Sequence, residues 1–229
     1  MRRSARILTL IWVVFFLVGA TAAQAETVYK LDFTNQKKGN AQNWLKNNGF
    51  ELQNDADEIN VRFEPKGLVL EVDDDINGLF SKKVKIEGAN TIRIEWGVDR
   101  YLDEANWEKG ILRESIGVIV SFGDERISSG SFVVPNVPYF IGIFLGQYEI
   151  ENKGYTGAYF KKGGRYFCSP CGAKAGTSVV TEFNLSEAFM REFDKSQVPY
   201  ISAVSVEIDA RDTNGRSKAY IKSISFLSP

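Results

Sequence analysis

Thr91-Ile92-Arg93-Ile94-Glu95-Trp96-Gly97-Val98-Asp99 sends two kinds of side chain in two directions. Ile92, Ile94, Trp96 and Val98 point one way, while Arg93, Glu95 and Asp99 point the other. Period two is the signature of a strand with one face in a core and one in water, and it makes Trp96 a core residue. Outward from this stretch the pattern repeats. Residues 116–122 and 138–145 are apolar on both faces, as central strands are. Residues 68–72 and 78–86 form two more strands around the acidic turn Asp73-Asp74-Asp75, and 28–33 a first one. Residues 178–183, 201–210 and 218–226 complete the set, with Asn214-Gly215 predicting a hairpin turn between the last two. One short helix is expected near 186–195, capped by Asn184 or Ser186 and stopped by Val198-Pro199. Many short strands with turn signals and little helix predict a mainly β chain, a single antiparallel β-sandwich.

The first 25 residues read differently. Arg2, Arg3 and Arg6 precede an apolar run over 7–18, and Ala23-Gln24-Ala25 places small residues where a signal peptidase acts. This is the layout of a secretory signal cleaved after Ala25. It predicts a periplasmic or secreted protein whose mature part, 26–229, is a single domain. The rival is an uncleaved anchor, but about a dozen apolar residues fall short of the roughly 20 that span a bilayer. No cysteine follows the cleavage site to carry a lipid. No other segment is long and apolar enough to cross a membrane, so no membrane association is expected after cleavage. Oligomeric state is not legible.

Composition narrows the chemistry. The chain has 229 residues, a formal net charge of −1 and no histidine. Loss of the signal arginines leaves a mildly acidic domain without a basic stripe, which argues against nucleic acid as a partner. Without imidazole there is no Ser-His-Asp or Cys-His nucleophile and none of the usual zinc or copper sites. No cofactor is expected, calcium excepted. Cys168 and Cys171, in Phe-Cys-Ser-Pro-Cys-Gly, are expected to form a disulfide in an oxidising compartment. Such a short loop contributes roughly 2 kcal/mol. The alternatives are a redox-active pair, which belongs at a helix start, and a reduced or metal-bound pair.

Several stretches resemble an exported bacterial family of uncharacterised proteins, domain of unknown function 3047. They are Phe193, Val198-Pro199, Val204-Ser205-Val206-Glu207-Ile208-Asp209 leading to Asp212-Thr213-Asn214-Gly215, and Ala219-Tyr220-Ile221-Lys222-Ser223-Ile224-Ser225-Phe226. Upstream, Ile94-Glu95-Trp96-Gly97-Val98 and Val118-Ile119-Val120-Ser121-Phe122 resemble its two central strands, and Pro138-Tyr139 the next. The resemblance implies an exported jelly-roll-like sandwich similar to galactose-binding modules, and supplies no activity. The family pattern leads into its second central strand with acids and an arginine. Here Arg113-Glu114-Ser115-Ile116-Gly117 has no Asp pair, and Gly117 stands near the arginine position. If those groups form a family site, this chain lacks it.

The candidate sites are polar faces and loop rings. Arg93, Glu95 and Asp99 on one strand, with Ser205, Glu207 and Asp209 on another, would converge if the strands were neighbours in one sheet. Such groups hydrogen-bond sugar hydroxyls while a ring stacks on the sugar face; a solvated outer face is the competing explanation. Trp44, Tyr101, Trp107, Tyr148, Tyr155 and Tyr159 lie in aperiodic segments and are candidates for exposed platforms, with Tyr101, Trp107 and Tyr155 taken as ligand contacts. Asp209, Asp212 and Asn214, or Asp73 to Asp75, could hold calcium, although turns also favour these residues. Glu207 and Asp209 are also spaced like the paired acids of some β-glucan-cleaving glycosidases. The favoured function is an exported non-catalytic module binding carbohydrate or an envelope glycan. The alternatives are an envelope structural or interaction protein, with Phe140 and Phe144 contributing an interface, and a carbohydrate-active enzyme using Glu207 and Asp209.

Overall fold

The alternating stretch forms a strand whose apolar side is sealed. In the computed structural model, which describes residues 25–213 and 215–229, Ile92, Ile94, Trp96 and Val98 are at most 1% exposed. The Trp96 indole N–H donates to Thr181 Oγ1 at 2.9 Å, so even its polar atom is satisfied in the core.

The strands are β1 (Thr27–Asp32), β2 (Gly39–Asn40), β3 (Phe50–Asn54), β4 (Asn60–Glu64), β5 (Gly67–Asp73), β6 (Asn77–Ile86) and β7 (Thr91–Arg100). They continue with β8 (Glu114–Ile127), β9 (Val137–Gly146), β10 (Gly164–Cys171), β11 (Val179–Asn184), β12 (Ile201–Asp209) and β13 (Arg216–Leu227). Helices are few and short: α1 (Gln42–Asn47), α2 (Leu185–Phe193) and a 3-10 turn at Trp107–Lys109. Seven strands make one sheet, in the order β11-β7-β13-β5-β4-β2 with β1 also on β13; six make the other, β10-β9-β8-β12-β6-β3. The two pack as a sandwich. Its core takes Ile92, Ile94, Trp96, Ile221 and Ile224 from the first sheet, and Phe80, Val118, Val120, Ile143, Val204 and Val206 from the second.

Two expectations need correction. Pairing is antiparallel except for β9 and β10, which run parallel because the 147–163 connection carries the chain back over the sheet before β10 begins. Asn214-Gly215 is no hairpin: β12 and β13 lie in opposite sheets, so the segment crosses the sandwich. Asn214 itself lies outside the described residues; Gly215 has φ +69°, and a Cβ there would sit 2.5 Å from the Asp74 carbonyl carbon. The short helix forms as expected, with Asn184 as its cap and Asn184 Oδ1 accepting from the Glu187 N–H at 3.0 Å. It ends before Val198-Pro199, at Asp194, whose φ of +52° breaks it. Leu185, Ala188, Phe189 and Phe193 are its buried face. Phe189 meets Phe122, and Phe193 meets Tyr139. Each large side chain so buried stabilises by roughly 1.5–3 kcal/mol.

β8 and β9 are apolar on both sides because the six-stranded sheet is covered twice. Beyond the main core, Trp107, Phe144, Tyr155 and Cys168 form a second buried cluster on its outer face. Phe140 and Phe144 are therefore covered, at 5% and 1% exposed, and offer no interface. The residues of the expected signal, 1–24, lie outside the described part. Among the described residues no helix is long and apolar enough to cross a membrane.

Candidate functional site

Alternation along β12 puts Val204, Val206 and Ile208 in the core, so Ser205, Glu207 and Asp209 must face outward. On neighbouring β8 the register slips: Gly117 stands opposite Glu207, and Glu114 opposite Asp209. The bulge adds a residue to β8 and swings Glu114 toward the acids of β12. Gly117 lies against Glu114, whose Cγ would be in ordinary contact, at 3.6 Å, with a Cβ placed there. From the other side β6 supplies Asn77, whose Nδ2 donates to Glu207 Oε1 at 3.2 Å. Asn54 in turn donates to Asn77 Oδ1.

The three acids have unequal partners. Asp209 takes two bonds from the Arg211 guanidinium, at 2.9 and 2.7 Å, and lies 3.6 Å from Arg113 Nε. That fork neutralises it. Glu114 and Glu207 have no such cation. Glu114 is buried, and neither its Oε2 nor Glu207 Oε2 receives a donor from any described group. Burial first, then the charges of Glu207 and Asp209, push the Glu114 carboxyl well above the usual range. Glu207 is pushed up to about 7, by burial and then by Asp209. Burial and mutual crowding thus hold both Glu114 and Glu207 toward their protonated forms.

An aromatic roof stands beside this pair. Trp107 stacks on Phe144 at 5.1 Å between ring centres and tilts against Tyr166 at 4.8 Å. Its indole N–H donates to the Arg113 carbonyl, and its backbone N–H to Glu149. Tyr155 closes the roof, its hydroxyl accepting from the Ile150 N–H and donating to Glu108. Tyr166 is the roof's half-exposed edge. Its ring lies over Gly142, and the negative cluster of Glu207, Glu114 and Asp209, added to burial, holds its hydroxyl well above its usual value. Across the sheet from Tyr166 the same face continues through Gly142, Ile119, Ser205 and Ser81. This row runs beside the carboxyl pair, with Ser205 two residues from Glu207 on β12.

The predicted residues distribute unevenly over this geometry. Glu207 and Asp209 belong to the cluster. Arg93, Glu95 and Asp99 do not, because β7 and β12 are in opposite sheets. They lie on the outer face of the seven-stranded sheet, where Arg93 pairs with Glu182 and Asp99 with Lys66. That is the solvated explanation. Tyr101, Trp107 and Tyr155 are not exposed platforms; they are 9%, 5% and 6% exposed, being covers of the sheet. Trp44 is packed against Phe33 and Phe63, while Tyr148 and Tyr159 are exposed. Asp212 faces Arg113, as Asp209 does, and Asn214 is outside the described residues. Asp73 pairs with Arg100, and Asp75 accepts from the Asp212 N–H. Among the described residues no three acids are arranged to hold a metal ion. Cys168 and Cys171 are bonded, within an edge strand and across its bulge rather than at a helix start. Glu114, Arg113, Asn77 and Tyr166 were missed as site residues. The departure at 113–117 signals Arg113 and Glu114 alone.

A depression of about 490 Å³ lies at the opposite end of β6 and β12, lined by Ile86, Glu87, Asn90, Val198, Pro199 and Tyr200 among others. It holds a single charged side chain, that of Glu87, and no acid cluster.

No family model matches the chain, the family suggested by the strand motifs included, and no curated protein matches it. Solved structures match its fold. The module TmCBM61 in complex with beta-1,4-galactotriose is 7% identical over 79% of this chain and 88% of that one, with a TM-score of 0.37. The xylan-binding module CBM15 is 10% identical over 73% and 81%, at 0.32. The metal-free carbohydrate recognition domain of Emp46p is 13% identical over 89% and 97%, at 0.42. The likeness is one of sandwich fold, and it transfers neither ligand nor site residue to this chain.

Proposed function

We propose that the protein is an exported, non-catalytic module that binds carbohydrate or an envelope glycan on the outer face of its six-stranded sheet. The observation that carries this is the Glu114–Glu207 pair beside the half-exposed ring of Tyr166. Two carboxyls held together without a cation cost stability, and the Asp209–Arg211 fork beside them shows that arginines were available to relieve it. Glu207 is half-buried with Oε2 enclosed, leaving Oε1, shared with Asn77, to take a hydroxyl donor, while half-buried Tyr166 would set the exposed part of its ring against sugar C–H groups.

The same geometry argues against hydrolysis. Glycoside hydrolysis needs carboxyls about 5–9.5 Å apart with the sugar or a water between. Here Asp209 is locked in the Arg211 fork and Glu207 is bonded to Asn77, so neither is free for that role. The test is calorimetric titration of the purified protein with a panel of oligosaccharides. At least one should bind, and Tyr166→Ala or Glu207→Gln should weaken it tenfold or more. A panel without a binder, or unchanged affinity in both variants, refutes the assignment.

A further inference from the structure

We propose that the loop joining β8 to β9 docks the protein onto an anionic lipid bilayer, with Phe132 and Val133 entering the interface and Arg126, Lys161 and Lys162 meeting the headgroups. Phe132 is fully exposed and Val133 is 88% exposed. Scattered apolar residues are common on surfaces, but these two are adjacent and presented by a braced turn. Ser129 Oγ lies 2.6 Å from the Val134 carbonyl and accepts from the Ser131 N–H. The Ser129 N–H donates to Asn136 Oδ1, and Ser131 Oγ accepts from the Val133 N–H. The tip is thus held outward by its own hydrogen bonds.

A second segment brings the charge. The Phe160 N–H donates to the Ser129 carbonyl at 3.0 Å, and Gly163 packs against Ile127. This sets exposed Tyr159, Lys161 and Lys162 beside the base of the loop, next to exposed Arg126. Among the described residues none of these three cations is in an ion pair with an acid. Of the nearby acids, Asp124 accepts from the Tyr200 hydroxyl and Glu125 is exposed. An apolar tip ringed by tyrosine and free cations matches the interface of an anionic membrane, with apolar chain below and phosphate above. A protein partner fits less well: stable interfaces bury upward of about 1,000 Å², and a two-residue projection is small for that. The carboxyl pair sits at the start of β8 and this loop follows its end. Fourteen residues at about 3.3 Å each separate the two by roughly 40 Å, so both can be engaged together. The docking does not depend on the glycan reading, and it departs from the absence of membrane contact expected from hydropathy.

The test is co-sedimentation of residues 26–229, which hold every strand and both core clusters. Vesicles of phosphatidylcholine mixed with phosphatidylglycerol are compared with phosphatidylcholine alone. Binding should require phosphatidylglycerol and fall with salt. F132S/V133S should weaken it about tenfold or more, and K161E/K162E should remove the lipid preference, with melting temperatures unchanged. Absence of binding to the mixed vesicles, or unaltered binding by F132S/V133S, overturns the proposal. So does a change in self-association by that variant without a change in vesicle binding, which would make the tip a protein contact.

Discussion

Glu207→Gln should stabilise the protein in alkali and leave it nearly unchanged in mild acid. Glu207 is pushed up from the ordinary 4.5 to about 7. Between those values the folded state binds a proton that the unfolded state releases. Folding is therefore favoured below about 4.5 and loses that contribution as pH rises through about 7. At about 1.4 kcal/mol per pH unit, the difference amounts to about 3 kcal/mol, or roughly 6–12 °C in melting temperature for a domain of this size. Glutamine has no charge to lose. The assay is urea unfolding of both proteins at about pH 5 and about pH 8.5, and the chain favours a clean reading. It contains no histidine, and its two cysteines are bonded, so few other groups titrate in that window. The native protein should be less stable at the higher pH, and Glu207→Gln should recover most of the loss. Equal destabilisation of the variant at both pH values would refute the raised proton affinity of Glu207.

Two further outcomes follow from packing. Gly142→Ala places a Cβ 2.5 Å from the Tyr166 ring; it should cost about 1–3 kcal/mol in chemical denaturation and weaken glycan binding by displacing the ring. Asn184→Ala removes the acceptor for the Glu187 N–H and should cost about 1 kcal/mol, seen as a melting temperature lower by about 2–4 °C with binding intact.

What the sequence discloses depends on how local the cause is. β7 was legible because its alternation is a property of nine consecutive residues, and Trp96 fell in the core where the period put it. The cap at Asn184 was legible for the same reason. The choice of sheet is not local. β12 and β13 both alternate, yet nothing within either says that one pairs with β6 and β8 and the other with β5 and β7. That single ambiguity misplaced Arg93, Glu95 and Asp99 relative to Glu207. Loop aromatics gave no period, so exposure was a guess from irregularity; Trp107 and Tyr155 instead cover a sheet whose outer face is apolar at Phe144. Glu114 entered the site through a bulge, a feature set by the pairing of two distant segments.

The place of β13 bears on how the chain comes to be folded. It is the last strand in order, yet it sits inside its sheet, holding β7 along one edge and β5 and β1 along the other. Thr27 finds its partner only at Leu227. During synthesis β1, having no other neighbour, must wait for β13, and the β7–β11 and β2–β4–β5 groups stay separate until β13 joins them. Closure by so distant a pairing is slow. The first sheet therefore stays in separate parts until β13 has been made and has closed them together.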